Sequence, residues 1–446
     1  MSLTKSATLT RGGLLERLSE ARERTDELFA IVRKDSLYHR PIAERHRIVF
    51  YIGHLEAFDW NLLTGRLLDL SSSRPDLDRL FAFGIDPVDG GLPKDQPSDW
   101  PSLTVVREYV QRVRDELDEG ISRDLGDGEG RPREFASSLL LNVAIEHRLM
   151  HAETLSYMLH QLPFEKKIAP GISLQFGQTS VTPEMVDIPA GPITLGLARD
   201  GGVFGWDNEF ERNTVEVPEF AIDRRKVTNR QYLEFFEAGG YQNRALWSEV
   251  DWNWKEEGAI SHPAFWILKD GQWFWRAMFE EVPLPPEWPV YVSHAEASAY
   301  ARWVGKSLPT EEQWQRAAYG SAIGEVRQYP WGAAHLSSDY GNFNFENWDP
   351  VAVGDHPAGS SAFGVEDILG NGWEWTSTVF QPFQGFEAFP FYRGYSADFF
   401  DGKHYVLKGG SARTAACMLR PSFRNWFQAH YQYVYSGFRC VSNRLA

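Results

Sequence analysis

The chain has 446 residues, with 45 Lys or Arg against 61 Asp or Glu, a formal net charge of −16. That length suggests two or three domains, and that charge argues against the basic face a nucleic-acid binder needs. The only cysteines, Cys417 and Cys440, exclude a disulfide scaffold and a cysteine-rich zinc site. No apolar run approaches the ~20 residues of a membrane helix, and MSLTKSATLTRGG lacks the apolar stretch of a secretory signal. A cytoplasmic protein with no membrane or nucleic-acid partner is expected.

The first 165 residues read as helices. Leu14 to Val32 is rich in Leu, Glu, Arg and Ala and has no Pro. A second helix is expected over Ala43–Leu70. Leu103, Val106, Val110, Val113 and Leu117 recur at three- and four-residue steps, as do Leu140, Ala144, His147, His151, Leu155 and Met158. Four helices, each with an apolar seam, predict a four-helix bundle. Gly84–Pro101 and Gly126–Pro132 would be its loops. A Pro-, Gly- and Ser-containing stretch over residues 166–186 has no helical period and reads as a linker.

Beyond it the composition changes. Only two of the 17 tryptophans, Trp60 and Trp100, precede residue 200. Short apolar-aromatic runs are broken by Gly, Pro, Asn and Asp, and three helix starts stand out. They are Thr228 before Asn229–Ala238, the capping box of Ser293 with Glu296 before His294–Val304, and Thr310 with Gln313. The reading is an α+β chain of two domains: a bundle over 1–165 and a loop-rich domain over 187–446.

His147 and His151 are spaced i, i+4, which puts both imidazoles on one helix face. That face is apolar, so both rings should point inward. His54 lies on the second helix, on a stripe with Phe50 and Phe58. Three histidines from two inward faces can make a facial metal site with open positions. A hydrogen-bonded pair of core histidines is the alternative. Spacing alone does not choose between these, nor between zinc and iron.

Longer blocks narrow the reading. The bundle carries Gly53-His54-Leu55 and Glu146-His147-Arg148-Leu149-Met150-His151-Ala152-Glu153-Thr154-Leu155. The second domain carries Phe204-Gly205-Trp206-Asp207-Asn208-Glu209, Val227-Thr228-Asn229, Tyr300-Ala301-Arg302-Trp303 and Leu308-Pro309-Thr310-Glu311. It ends with Gly370-Asn371-Gly372-Trp373-Glu374-Trp375-Thr376, Lys408-Gly409-Gly410-Ser411 and Gly437-Phe438-Arg439-Cys440. In these blocks the chain resembles the ergothioneine-type sulfoxide synthases, which join a DinB-like bundle to a C-type-lectin-like domain shared with formylglycine-generating enzymes. The resemblance implies an iron(II) ion held by His54, His147 and His151, with hercynine, a thiol donor and O2 as substrates. It implies that Tyr392, in Tyr392-Arg393-Gly394-Tyr395-Ser396, donates a proton or electron to the reacting oxygen. Tyr395 is assigned to the substrate pocket. From Arg424-Asn425-Trp426, it implies that Asn425 binds the hercynine carboxylate and that Trp426 and Tyr395 offer π-faces to its quaternary ammonium.

The chain departs from the family branch that uses γ-glutamylcysteine. Where that branch has a donor-binding Asp and Arg, this chain has Phe427 and Tyr431. Where it has an Arg before the third helix, this chain reads Gly90-Gly91-Leu92-Pro93-Lys94. Losing charged partners disfavours a twice-carboxylated thiol. Phe427, Gln428 and Tyr431 form an uncharged wall better suited to a seleno- or thiosugar, as in the selenoneine synthases. Cysteine is the other donor that fits. A zinc-dependent DinB-type thiol transferase is a rival reading that would need neither Tyr392 nor the second domain. A binding module whose bundle is only scaffold is another. A formylglycine-generating enzyme needs two close cysteines, and Cys417 and Cys440 lie far apart in the sequence, each expected to be a buried structural thiol.

Overall fold

The computed structural model describes residues 11–82, 92–124, 137–171, 174, 176 and 181–442. The expected loop Gly126–Pro132, residues 84–91 (Gly90 and Gly91 among them), and much of the expected linker lie outside this set. The chain divides into two compact units, residues 1–172 and 173–446. No described helix is long and apolar enough to cross a membrane.

The first unit is built on α1 (Arg11–Ala30), α2 (Ile48–Leu63), α3 (Pro75–Leu80), α4 (Leu103–Asp124) and α5 (Ser137–His160). Helix α1 packs on α5, and α2 packs on both α4 and α5. Helix α2 is shorter than the span expected from composition. It begins after Arg47, whose backbone is extended, and stops at Thr64, also extended. The following Gly65 takes a left-handed φ of 71°, which turns the chain so that its N–H donates to the Leu68 carbonyl three residues ahead. Helix α3 was not foreseen. Its signals are Pro75 in the first turn with Asp76 and Asp78, residues that favour a helix N-terminus.

Charge sits inside this bundle. Arg148 on α5 is fully buried. Its guanidinium donates to both Glu56 oxygens (3.0 and 2.9 Å), to Asp59 (2.6 Å) and to the Leu55 carbonyl (3.1 Å), all on α2. Arg114 on α4 donates to the same Glu56 (2.9 Å) and to Asp26 on α1 (2.6 Å). One polar cluster therefore ties together all four long helices.

The described residues of the second unit form four small sheets. Strands β1 (Met185–Ile188), β4 (Phe220–Asp223) and β12 (Val441–Ser442) form one, so the two ends of the unit meet on β4. Strands β2 (Gly191–Leu195) and β3 (Asn213–Val217) form a hairpin, and β5 (Trp266–Lys269), β6 (Gln272–Arg276) and β7 (Glu281–Pro283) a meander. The fourth sheet runs β10 (Asn425–Gln428), β9 (His404–Lys408), β8 (Trp373–Val379), β11 (Ser436–Gly437), which leaves β10 at an edge. Helices α6 (Asn229–Glu237), α7 (Glu249–Glu257), α8 (His294–Trp303) and α9 (Glu311–Tyr319) complete it. Thr228, Ser293 and Thr310 each cap a helix with the reciprocal side-chain bond of a capping box, as expected. Ser248 caps α7, a helix the pattern did not announce.

Seven tryptophans are fully buried in this unit. Their N–H groups need acceptors, and several find them at the motif residues: Trp314 donates to Glu374 (2.9 Å), Trp266 to Asn229 (3.0 Å) and Trp375 to the Val292 carbonyl (2.8 Å). Glu374 is itself buried between Arg439 (2.6 Å) and Lys226 (3.0 Å). In Gly370-Asn371-Gly372 the amide of Asn371 bonds both the N–H and the carbonyl of Val351. Gly372 has φ 120°, and a Cβ there would lie 2.7 Å from the Tyr291 ring.

Removing one partner of a buried ion cluster strands the rest in a medium that solvates charge poorly. Arg148→Ala is therefore expected to destabilise the helical unit by about 3–5 kcal/mol. Urea unfolding followed by far-UV circular dichroism measures it. A loss below about 1 kcal/mol, the level of a surface pair, would show that the cluster does not hold the bundle.

Candidate metal centre and aromatic pocket

Helix α2 presents His54, and α5 presents His147 and His151 one turn apart. All three are buried, and a ring nitrogen of each lies within 4.8 Å of the others. The Nε2 atoms of His147 and His151 face each other at 3.1 Å. His54 Nδ1 donates to the Phe81 carbonyl at 2.8 Å, which leaves its Nε2 lone pair for the cluster. Aromatic rings fix the imidazole planes: Phe50 stacks on His54 at 4.8 Å, and Phe58 on His147 at 3.4 Å and 10°. Burial depresses all three pKa values, that of His54 to about 4 and those of His147 and His151 well below the ordinary value. At neutral pH the cluster is three uncharged imidazoles with converging lone pairs. A first-row divalent cation fits that donor set, and three ligands leave coordination positions for substrates.

The other site residues lie in the second unit. Tyr392 is half-buried and Tyr395 buried. Tyr395 stacks on Trp206 at 4.0 Å, meets Trp426 edge-on at 5.4 Å, and has Tyr392 at 5.5 Å. Trp426 in turn stacks on Phe380 at 4.3 Å. Asn425 accepts from the Trp426 N–H through Oδ1 (2.9 Å). Thus Tyr392, Tyr395 and Trp426 come together with Trp206.

The wall expected from Phe427, Gln428 and Tyr431 is divided. Phe427 and Tyr431 stack at 5.1 Å and 17°. Gln428 is exposed, and strand alternation places it with Trp426 on the opposite face of β10 from Phe427. Cys440 is buried in the core as expected, where burial and the neighbouring Asp223 push its thiol pKa up; Cys417, expected to be buried, is only half-buried, in the short 3-10 turn Ala416–Met418.

Sequence reasoning passed over three contributors. Asp207 is fully buried. It accepts from Ser396 Oγ (2.6 Å) and the Phe389 N–H (3.4 Å), bracketing the segment that carries Tyr392 and Tyr395. Burial raises its carboxyl to a pKa of about 6. Phe81 and Gly53 act on the histidine cluster. Phe81 follows α3 and supplies the carbonyl for His54, and its ring fills the space where Gly53 has no side chain. A Cβ at Gly53 would lie 2.5 Å from that ring. The Gly-His pair at 53–54 is its sequence trace. Gly53→Ala should displace Phe81, free the His54 ring and weaken metal binding by about 10–100-fold, the usual cost of losing an outer-shell partner. Competition with a chromogenic chelator reads this directly; wild-type affinity in the variant would break the link from Gly53 to His54.

Comparison with known proteins agrees with both units. Residues 173–444 match the sulfatase-modifying factor enzyme 1-like domain, and residues 17–155 match the DinB superfamily. A hercynine oxygenase of Mycolicibacterium thermoresistibile is 38% identical over 70% of this chain and 71% of its own length. A hercynine oxygenase of Mycolicibacterium smegmatis is 34% identical over 97% of this chain and 99% of its own. The ergothioneine biosynthesis protein 1 of Neurospora crassa is 28% identical over 92% of this chain, which spans 55% of that protein. The chain belongs to the hercynine oxygenase family, metal- and oxygen-dependent oxidoreductases of the ergothioneine-type sulfoxide synthase kind, in which a DinB-superfamily bundle is joined to a sulfatase-modifying factor enzyme 1-like domain.

Proposed function

We propose that this protein is an iron(II)-dependent enzyme that joins hercynine to a neutral seleno- or thiosugar, working in the cytoplasm on small molecules alone. The observation that carries the reading is the buried all-imidazole cluster of His54, His147 and His151 in a chain of this family. The reaction balances as imidazole C–H plus R–SeH plus O2, giving C–Se(=O)–R plus water. The sulfur case is analogous. One oxygen atom ends on the chalcogen, the other in water, and O2 takes four electrons. Iron(II) held by the three histidines would supply the activation of O2.

The protein's own groups have separate tasks in this reading. Tyr395 and Trp426 offer π-faces to the trimethylammonium group, which has no N–H to donate and is bound by ring quadrupoles. Asn425 presents its amide hydrogens to the carboxylate. Tyr392 holds a proton at its hydroxyl for the reacting oxygen, and Asp207, through Ser396, orients that segment. The donor assignment draws support from the stacked pair Phe427 and Tyr431. These are uncharged where the γ-glutamylcysteine branch places charged side chains, and an apolar ring pair cannot compensate a desolvated carboxylate.

Aerobic turnover by iron(II)-loaded protein, read by mass spectrometry, tests the assignment. Hercynine is offered in parallel with a selenosugar, a thiosugar, cysteine and γ-glutamylcysteine. An oxygen-dependent sugar adduct is expected. Tyr392→Phe should lower kcat by about 10²–10⁴-fold, the range for losing a positioned proton donor, with iron content unchanged. His147→Ala should lose both iron and activity. Adduct with cysteine alone would overturn the sugar assignment. No oxygen-dependent product with any donor, despite bound iron, would overturn the hercynine assignment and favour a zinc-type thiol transferase.

A further inference from the structure

The Phe427 face of β10 leads to a polar cluster that the reading above does not use. Phe427 pairs with Tyr405 across β9, on the same face of the sheet. His294, the first residue of α8, stacks on Tyr405 at 3.8 Å and 20° and meets Trp375 edge-on at 5.6 Å. Asp251, in the first turn of α7, accepts from Ser248 Oγ (2.6 Å) and from His430 Nε2 (2.9 Å). His430 lies flat on Trp254 at 4.6 Å and 2°. The Asp251 charge acts on both the Tyr405 hydroxyl and the His294 ring, so these groups share one neighbourhood.

Within that neighbourhood one atom is unexplained. His294 is 8% exposed, and its Nε2 has no hydrogen-bond partner among the described residues. Its other ring nitrogen engages the Thr376 backbone, and burial keeps the ring neutral, with a pKa of about 4. Nε2 is thus a buried lone pair with nothing to accept from. Such an atom costs about 1–3 kcal/mol unless a ligand or water donates to it. Tyr405 stacks on the ring, Phe427 is paired with Tyr405, and Trp254 lies against His430; all three are partly exposed flat rings, and the Asp251 side chain keeps 14% of its exposure.

We propose that Asp251, His294 and His430 form a subsite that reads the hydroxyl rim of the sugar donor, with Tyr405 and Phe427 as its apolar floor. This rests on the sugar-donor reading. A saccharide presents C–H groups on its faces and hydroxyl donors at its edge. The rings match the faces, and the Asp251 carboxylate and the His294 lone pair match the edge. The same arrangement works against a carboxylate on the donor, which would approach Asp251 as a like charge and find no hydrogen-bond donor at the neutral His294 Nε2.

The test uses the full-length protein with thioglucose as probe. Its binding is measured by isothermal titration calorimetry, and its KM is measured separately from that of hercynine. Asp251→Asn and His430→Gln, both at partly exposed positions, should weaken thioglucose binding and raise its KM by about tenfold or more, as expected when a charged hydrogen-bond partner is lost. The hercynine KM and the melting temperature should stay at the wild-type values. His294→Phe should weaken thioglucose binding in the same sense. Wild-type thioglucose affinity in all three variants would overturn the subsite and leave the cluster as a hydrated structural group. If the wild-type protein itself neither binds nor turns over thioglucose, the sugar-donor reading fails and the subsite with it. That outcome is seen before any variant is made.

Discussion

The bundle depends on a fully buried guanidinium. Arg148 stands next to His147 on α5 and reaches Glu56 and Asp59, two and five residues past His54 on α2. A helix pair held only by apolar side chains can slide by a fraction of a turn at little cost, because leucine-like surfaces are interchangeable. A guanidinium bonded to two carboxylates and a backbone carbonyl has one satisfactory position. Burial works against the Glu56 carboxylate, yet Arg148 and Arg114 hold it below the usual range. Burial pushes Asp59 the other way. The register that satisfies Arg148 is the register that converges the three imidazoles. On stability alone an apolar replacement of the whole cluster could do as well, so its value lies in fixing the register on which the cluster geometry rests.

A strand imposes the corresponding constraint in the second unit. Successive side chains of β10 point to opposite faces, so Trp426 and Phe427, adjacent in sequence, serve different surroundings. Trp426 joins Tyr395, Phe380 and Phe399. Phe427 joins Tyr431 and, across β9, Tyr405. In the proposed function Trp426 serves hercynine and Phe427 the donor, and the reacting ends of the two would meet past the free edge of β10. A single edge strand would then separate the two recognition tasks, and a change at residue 427 could alter one without disturbing the other.

Much of this was legible in the residues, and the limit has a physical form. Helical period located α4 and α5 and the inward face that carries His147 and His151, because burial at every third or fourth position is a local pattern. Ser293 with Glu296 marked a helix start, because a capping box closes within four residues. The contacts that complete the sites are long-range. The Phe81 carbonyl reaches His54 across 27 residues, and Asp207 reaches Ser396 across 189. No local pattern encodes such pairings. Gly53 and Asp207 did leave traces inside quoted blocks, but their meaning, room for a ring and a buried acceptor, appears only when the partner is in place. Gln428 failed to join Phe427 for a local reason: alternation along a strand was available to sequence reasoning, but the strand itself had not been assigned.

Specificity for a neutral donor would follow here from subtraction as much as from addition. Replacing a charged pair by Phe427 and Tyr431 removes the groups that offset the desolvation of carboxylate and ammonium. A zwitterionic donor would then lose hydration without recovering hydrogen bonds, a penalty of several kcal/mol for a fully desolvated charge. A polyol loses far less, because each hydroxyl is cheaper to desolvate and each ring face gains contact with an aromatic plane. Asp251 does not reverse this balance. It is already bonded to His430 and Ser248, so it offers remaining lone pairs to hydroxyl donors while repelling a second carboxylate. On this physical account the aromatic pair would lower the affinity for a carboxylate-bearing donor, and the acceptors beside it would restore affinity for a ligand rich in O–H donors.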